Sequence, residues 1–500
     1  MSHSHTRSIR VDYLQQAPEL QAFYQYSPVQ PDFSRILADK AQDHTNRQLL
    51  QQVIREQYAE AGIAASSKTE ALIHSLGDEK TFTITTGHQL VLYAGPLFTA
   101  YKVMHVIKLA EHLRQNHPDH NFVPVFWIHT EDHDFEEVNH YFPSYSEKRS
   151  YPGTFVSQVG NHVLEDSIQN SWPEEAWSAH YQPGMSWKAA FRSLCMALFD
   201  EYGLVLLDAD HPTLKAQFQE IIRRELSDHF SQEAIAAQSA QLEEAGYPAQ
   251  ITPREINLFY LDEQGRNRII PSETGAGFEV MDRELSFTVA EMDKLVADHP
   301  ERFSPNVSLR PLYQELILPN LAYVGGWGEL SYWMQLKGVF EAAKVNFPLV
   351  LPRFSATLFT ESQAKDWQAL GFELADITQP LADLYRQYLP NLWDDGPLLD
   401  QVEQVQHAFE ALHQLVETDI SQTLAISVKA LQAKVAKRLK IVHKKAGKVI
   451  RADHPAIFQK IEAQKLAIQP DGFVQERNLS LFSFPAYGPR HILSLLDQQI

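Results

Sequence analysis

The stretch from Thr81 to Phe142 constrains the fold more than any other, because it repeats one arrangement: a strand-like run that stops at a dense polar cluster. Thr81-Phe82-Thr83-Ile84-Thr85 reads as a strand and stops at Thr86-Gly87-His88-Gln89. A second glycine turn, Ala94-Gly95-Pro96-Leu97-Phe98-Thr99, opens a helix carrying Tyr101 and Lys102; proline is tolerated at such a start because the N–H it lacks is unpaired there anyway. Val123 to Ile128 is apolar without alternation, as a strand covered on both faces should be. It stops at His129-Thr130-Glu131-Asp132-His133-Asp134. Strand, helix and strand at this length make a βαβ unit. Ligands of open parallel sheets sit beyond the carboxyl ends of the strands, where both polar clusters fall.

Each cluster has a chemical reading and a plainer one. Gly87 permits a tight turn or a close backbone approach to a ligand. The free N–H groups after Gly95 could hold a carboxylate or phosphate. The plainer reading is a βα turn with a surface His88. If the chain is helical from Asp132 onward, His133, Glu137 and His140 share one face at i, i+4 and i+7, beside Asn139. That spacing suits a metal site or an acid–base pair, without demanding a metal. The plainer reading is a solvated helix start, where acidic residues favour the dipole.

Gly203 to Asp208 reads as a further parallel strand with an acidic end. Asn257 to Leu261 and Arg268 to Ile270 flank Gly265 as a hairpin, followed by a small strand pair between Phe278 and Phe287. Ser308 and Arg310 precede a helix toward Leu318. Leu321 to Val324 is a strand ending in Gly325-Gly326-Trp327-Gly328-Glu329, before a helix from Leu330 to Ala343 that carries Tyr332. Pro348 to Arg353 is the last core strand. The glycine cluster fits neither a Walker loop nor a dinucleotide fingerprint, but suits close approach of a ligand to the backbone. A packing turn is the alternative.

From Gln363 to Leu466 the composition changes. Apolar residues recur from Val402 to Leu439 in steps of mostly three or four, which predicts one amphipathic helix of coiled-coil length. A shorter helix, His454 to Ile468, would pack back on it. Lys434 to Arg451 is basic: a solvated face, or an anion or nucleotide site.

The net charge of −20 argues against general binding to nucleic acid or anionic membranes. The single cysteine, Cys195, excludes an internal disulfide and a four-cysteine zinc site. No apolar run reaches about 18 residues and no signal peptide is visible, so a soluble cytoplasmic protein is expected. His3 and His5 read as a flexible tail.

Taken together, Thr86-Gly87-His88-Gln89, Gly95-Pro96-Leu97-Phe98-Thr99 with Lys102, Pro124 to Ile128, and Glu131-Asp132-His133-Asp134 with Asn139-His140 resemble the bacillithiol synthase family BshC. Gly325 to Glu329, Tyr332-Trp333, Pro352-Arg353, the long helical region and Gln475-Glu476-Arg477 extend the resemblance over nearly the whole chain. It implies an α/β fold: a Rossmann-like parallel-sheet core with connecting insertions (roughly 145–200 and 246–305) over 1–362. It further implies a helical coiled coil over 363–468, a segment 469–500 docking back on the core, and a homodimer. The implied reaction joins cysteine to glucosaminyl-malate through an amide. Carboxylate is a poor electrophile, so ATP-dependent activation is expected.

On that reading His88 with the helix start at Gly95 and Lys102 stabilises phosphate charge. Glu131, Asp132, His133 and Asp134 bind the cysteine ammonium or take the amine proton. Ser308, Arg310 and Arg353 hold the malate carboxylates. Glu329 and Tyr332 complete the sugar pocket, with Gln89, Asn139, His140, Gly325 and Gly326 as further binding positions. Two other classes remain open: a metal-dependent hydrolase or transferase using His133, Glu137 and His140, and a non-catalytic nucleotide-binding scaffold.

Overall fold

The computed structural model describes residues 7–153, 155, 157–168, 176–273, 275, 277–470 and 473–500. The expected tail at His3 and His5, parts of the first insertion and the Asp471-Gly472 turn lie outside them. The chain divides into two units, one of residues up to Ala356 together with Glu476–Ile500, the other Thr357–Gln475.

The strands of the first unit are, in chain order, β1 (Thr81–His88), β2 (Asn121–Ile128), β3 (His140–Ser144), β4 (Glu147–Ser150), β5 (Val205–Asp208), β6 (Leu258–Asp262), β7 (Gly265–Pro271), β8 (Gly277–Val280), β9 (Ser286–Thr288), β10 (Phe303–Pro305), β11 (Asn320–Gly325) and β12 (Leu349–Pro352). Five of them form a parallel sheet in the order β12-β11-β1-β2-β5. The chain leaves β1 toward β2 on one side and returns later as β11 on the other. The crevice between β1 and β11 is therefore a topological switch point, where such sheets bind ligands. The register pairs His88 with Ile128, so the residues after each strand emerge at one edge.

β1 is threonine-rich yet central, which works because its hydroxyls are satisfied inside. Thr85 Oγ1 donates to Asn320 Oδ1 at 2.7 Å and Thr86 Oγ1 to the Val324 carbonyl at 2.7 Å. Asn320 Nδ2 donates in turn to Glu315 Oε1 at 2.6 Å, and Glu315 is paired with buried Lys40 at 2.9 Å. A buried hydroxyl without such a partner would cost more than its β-branched side chain contributes.

The helix after Gly95 runs Leu97–Asn116, with Pro96 as its N-cap residue. The hairpin and strand pair predicted between Asn257 and Phe287 are present. They belong to an antiparallel sheet in the order β10-β6-β7-β8-β9. The single helix expected from Leu330 to Ala343 is instead two, Trp327–Trp333 and Lys337–Ala343. Between them buried Gln335 accepts from the N–H groups of Gln250 and Ile251 at 2.6 and 2.9 Å.

In the second unit, Trp367, Phe372, Leu384, Phe458 and Ile461 form a small core. The one long helix expected across Val402–Leu439 is a hairpin of two packed helices, Gly396–Asp419 and Gln422–Asp453. Ser421 breaks it by capping the second helix, its side chain accepting from the Leu424 N–H. Apolar periodicity continues through the break, so it did not report it. Pro455–Ile468 follows as a separate helix. Among the described residues no helix is long and apolar enough to cross a membrane.

Candidate active site

At the carboxyl edge of the parallel sheet a cavity of about 470 Å³ is lined by His88, Gln89, Lys102, Glu131, Asp132, Arg310, Glu329 and Tyr332. All eight were singled out in the sequence. They come from the ends of β1 and β2, the helix Leu97–Asn116, the helix Arg310–Ile317 and the helix Trp327–Trp333 that follows β11.

Lys102 closes the crevice. Its Nζ donates to the Gly87 carbonyl at 3.1 Å and pairs with Glu329. Burial pushes the Lys102 ammonium down, with Arg353 and Arg310 adding to that and Glu329 opposing. Burial alone would raise Glu329, but Lys102, the Tyr323 hydroxyl at 2.5 Å and the Gly326 N–H at 2.7 Å outweigh it and hold its carboxyl below the ordinary range. Lys102→Met leaves this carboxylate without its cation. It is expected to lower the unfolding free energy by about 3 kcal/mol, measured by urea denaturation. Adding Glu329→Gln should recover part of the loss, because the charge left unpaired is then gone.

His88 is neutral: burial and Lys102 lower its pKa to about 4. Its Nδ1 lies 3.0 Å from the Gln89 carbonyl, which only accepts, so Nδ1 carries the proton and Nε2 is free to take one. Glu131 is held above the ordinary range by burial, reinforced by Asp210 and opposed by its ion pair with Lys215. A carboxyl moved up in this way is a stronger proton acceptor than a free glutamate. Asp132 accepts from Gln89 Nε2 at 2.7 Å and from the His133 N–H at 2.8 Å. Arg310 is buried between the rings of Trp127 and Tyr323, 5.7 and 5.4 Å away. Its Nη1 donates to Gln314 at 3.0 Å, while Nη2 is buried with no partner among the described residues. A desolvated guanidinium N–H without a partner is a ready receptor for an anionic oxygen.

Other singled-out residues sit elsewhere. Gly95 and His140 line an adjoining cavity. The helix expected from Asp132 is only Phe135–Val138, capped by Asp134, whose Oδ1 accepts from the Glu137 N–H at 3.2 Å. His140 already belongs to β3, so His133, Glu137 and His140 do not share a helical face. Among the described residues no group of three or more His, Cys, Asp or Glu could hold a metal ion. His133 stands beside Arg266 at 3.4 Å, outside the cavity lining. Asn139 accepts from the Tyr151 N–H through its carbonyl at 2.7 Å. Ser308 is buried, its N–H donating to Asn306 Oδ1 at 2.8 Å. Arg353 is not free for a substrate: it forms a two-point pair with Glu476 at 2.9 and 2.6 Å.

The glycine loop serves itself. Gly325 ends β11, its carbonyl accepting from the Arg353 N–H at 2.8 Å, and the Gly326 N–H goes to Glu329. The N–H of Leu97, expected to await an anion, donates to the Leu479 carbonyl at 2.7 Å.

Several polar residues in and beside the cavity were not singled out for a role. His129, one residue past β2, has an Nε2 that is buried and unpartnered. A Cβ on Gly87 would stand 2.7 Å from that atom, so Gly87 is required for space rather than for a turn. Burial and Arg310 hold the His129 pKa well below the usual value. Arg266 reaches in from β7, anchored on Ser304 at 3.0 Å and lying 3.9 Å over the Phe259 ring. Lys215 is fully buried between Glu131, Asp210 and the Phe303 carbonyl. Asn306 also lines the cavity. Only His129 carried a local signal, its place at a strand end.

Comparison with known families agrees with this architecture. The family described as bacillithiol biosynthesis BshC, N-terminal Rossmann-like domain, matches residues 1–354, and the corresponding C-terminal coiled-coil domain matches 356–499. A Flavobacterium psychrophilum protein named "Putative cysteine ligase BshC" is 38% identical, covering 93% of this chain and 90% of its own. Proteins of the same name from Cytophaga hutchinsonii and Chlorobaculum tepidum are 34% and 30% identical, over 95% and 92% of this chain and 91% and 87% of theirs. With both domains matched in order over nearly its full length, the chain belongs to the bacillithiol biosynthesis BshC family.

Proposed function

We propose that this protein is a ligase that joins the carboxyl of L-cysteine to the amine of glucosaminyl-malate as an amide. The observation that carries the reading is one cavity at a switch point that combines a carboxyl poised to accept a proton, Glu131, with a buried guanidinium N–H awaiting an anion, Arg310. Asp132 would hold the cysteine ammonium. Arg310 would hold the oxygen that gains charge as the amine attacks. Glu131 would take the amine proton, and neutral His88 would assist at the same edge. ATP would supply the activation, making the carboxyl oxygen a leaving group; Arg310 and Arg266 are the cations that would face its phosphates. The relatives' name, as a cysteine ligase, supports the substrate class.

A homodimer in the cytoplasm is part of the same proposal. It is supported by the apolar stripe left half-exposed on the helical hairpin at Leu412, Leu415, Leu424 and Leu431.

The experiment is reconstitution: purified protein, cysteine and glucosaminyl-malate, with and without ATP, read by mass spectrometry. ATP-dependent amide product is expected, and the release of AMP or ADP identifies the activation. Binding of glucosaminyl-malate without turnover in either tube would favour a scaffold that needs another donor.

A further inference from the structure

The polar clusters that end β1 and β2 meet where the sheet stops. The ladder pairs the two strands as far as His88 and Ile128, and one longer bond follows, from the His129 N–H to the His88 carbonyl at 3.3 Å. Beyond that point another segment holds them, the first insertion. Its short turn Val159–Asn161 lies against the end of β2. The Val159 N–H donates to the Asp132 carbonyl at 2.7 Å and the Gly160 N–H to the Thr130 carbonyl at 3.1 Å. Consecutive N–H groups thus grip the backbone on both sides of Glu131. Gly160 has no positive φ, so its conformation does not call for glycine. Space does: a Cβ there would meet Thr130 Cβ at 2.8 Å and the Thr130 carbonyl oxygen at 2.9 Å.

The same insertion grips the end of β1. Trp187 is fully buried, and its Nε1 donates at 2.6 Å to the carbonyl of Leu90, one residue past Gln89. The two grips are tied to each other. The Trp187 N–H donates to the His162 carbonyl at 2.7 Å, and the Leu164 N–H to the Met185 carbonyl at 2.8 Å. The ring of Phe135, which follows the Glu131–Asp134 cluster, packs edge-on against Trp187 with centroids 5.4 Å apart. Neither Gly160 nor Trp187 lines the first cavity, so neither touches what binds there.

We propose that the first insertion is a brace that fixes the two strand-end clusters relative to each other, with Gly160 and Trp187 as positioning residues for Glu131 and Gln89. The work done by the positioned groups rests on the ligase reading above; the brace itself does not. Glu131 is faced by Lys215 from the helix Pro212–Ala216, by Asp210 after β5 and by Arg266 from β7, with Asp132 and His133 beside it on its own segment. A backbone that slips takes the Glu131 carboxyl out of that company and into water. Its proton affinity then falls back toward that of an ordinary glutamate, because burial is what raises it. A base works in its deprotonated form, so the acid limb of the activity moves to lower pH.

The test uses the full-length protein with Gly160→Ala and, as a variant that keeps an aromatic ring in the core, Trp187→Phe. In the ligase assay Gly160→Ala is expected to lower kcat by about 10–100-fold, the usual effect of a small misplacement, while the KM of each substrate stays within about threefold. The acid limb should move to lower pH in this variant. Trp187→Phe should lower kcat with the limb in place, since it releases Leu90 and not Glu131. Hydrogen exchange read by mass spectrometry needs no turnover: residues 129–134 should exchange at least about tenfold faster in Gly160→Ala, with β11 and β12 unchanged. Unchanged kcat in Gly160→Ala, a fall in kcat with the acid limb unmoved, or unchanged exchange over 129–134 would each overturn the proposal. If Gly160→Ala does not fold, Trp187→Phe decides: lowered kcat with faster exchange over 88–91 supports the brace, and wild-type values overturn it. If the wild type makes no amide but the exchange changes as expected, the ligase reading fails and the brace stands.

Discussion

Lys215→Met is expected to lower the unfolding free energy by about 3–5 kcal/mol, the range for leaving buried charge without its partner. Lys215 is the cation shared by Glu131 and Asp210, and it has no exposed surface. Burial already holds both carboxyls above their ordinary range. A carboxyl raised in the folded state contributes stability that is fully present below its unfolded pKa and is lost as the pH rises through the folded one. Without Lys215 both folded values move further up. The deficit against wild type should therefore widen as the pH climbs above the unfolded glutamate value of 4.5. Urea unfolding at about pH 5 and about pH 8 measures this, the larger deficit being expected at the higher pH. Equal deficits at both would mean that Lys215 acts by packing and not by charge. Ligase turnover should fall with it, because Glu131 loses the group that fixes its position.

The largest effect on activity is expected at His88. Its replacement by alanine should lower kcat/KM for amide formation by about 10²–10⁴, the usual contribution of a positioned acid–base group. Its fold should survive, since the ring's contacts are local: the Gln89 carbonyl and Phe98, whose centroid is 5.0 Å away. The pH profile carries the sharper signature. With a pKa of about 4 the imidazole is neutral throughout the physiological range, so no limb from His88 should appear near the ordinary histidine value of 6.5. Activity that depends on His88 should fall only as the pH drops toward about 4, where the ring protonates. A limb near the ordinary value that vanishes in His88→Ala would show that the ring is far more solvated than its burial indicates. Full turnover in the variant would remove it from the chemistry.

The legible parts of the chain share a physical cause. Backbone hydrogen bonding and burial act over a few residues, so unbroken apolar or β-branched runs, and the polar clusters that end them, can be read locally. β1, β2, β5, β11 and β12 were all visible in this way, as were the hairpin of β6 and β7 and eight residues of the first cavity. The failures were local patterns overruled by one residue. Asp134 caps a helix of a single turn, and the shared helical face read conditionally at His133, Glu137 and His140, as a metal site or an acid–base pair, disappears with it. Ser421 folds one long amphipathic pattern into a hairpin, because periodicity persists through a cap.

The sequence by itself determined that a parallel sheet would present His88 and the Glu131-Asp132 pair at one edge, because strand direction and run length are properties of short segments. Only the tertiary structure decided what those groups meet. Lys215 and Arg266 reach Glu131 and His133 from far along the chain, Arg353 is claimed by Glu476, and Arg477 arrives beside His140 from the C-terminal end. Such pairings follow from which strands lie side by side and which segments return to them. No spacing within a run can encode a partner 84 or more residues away.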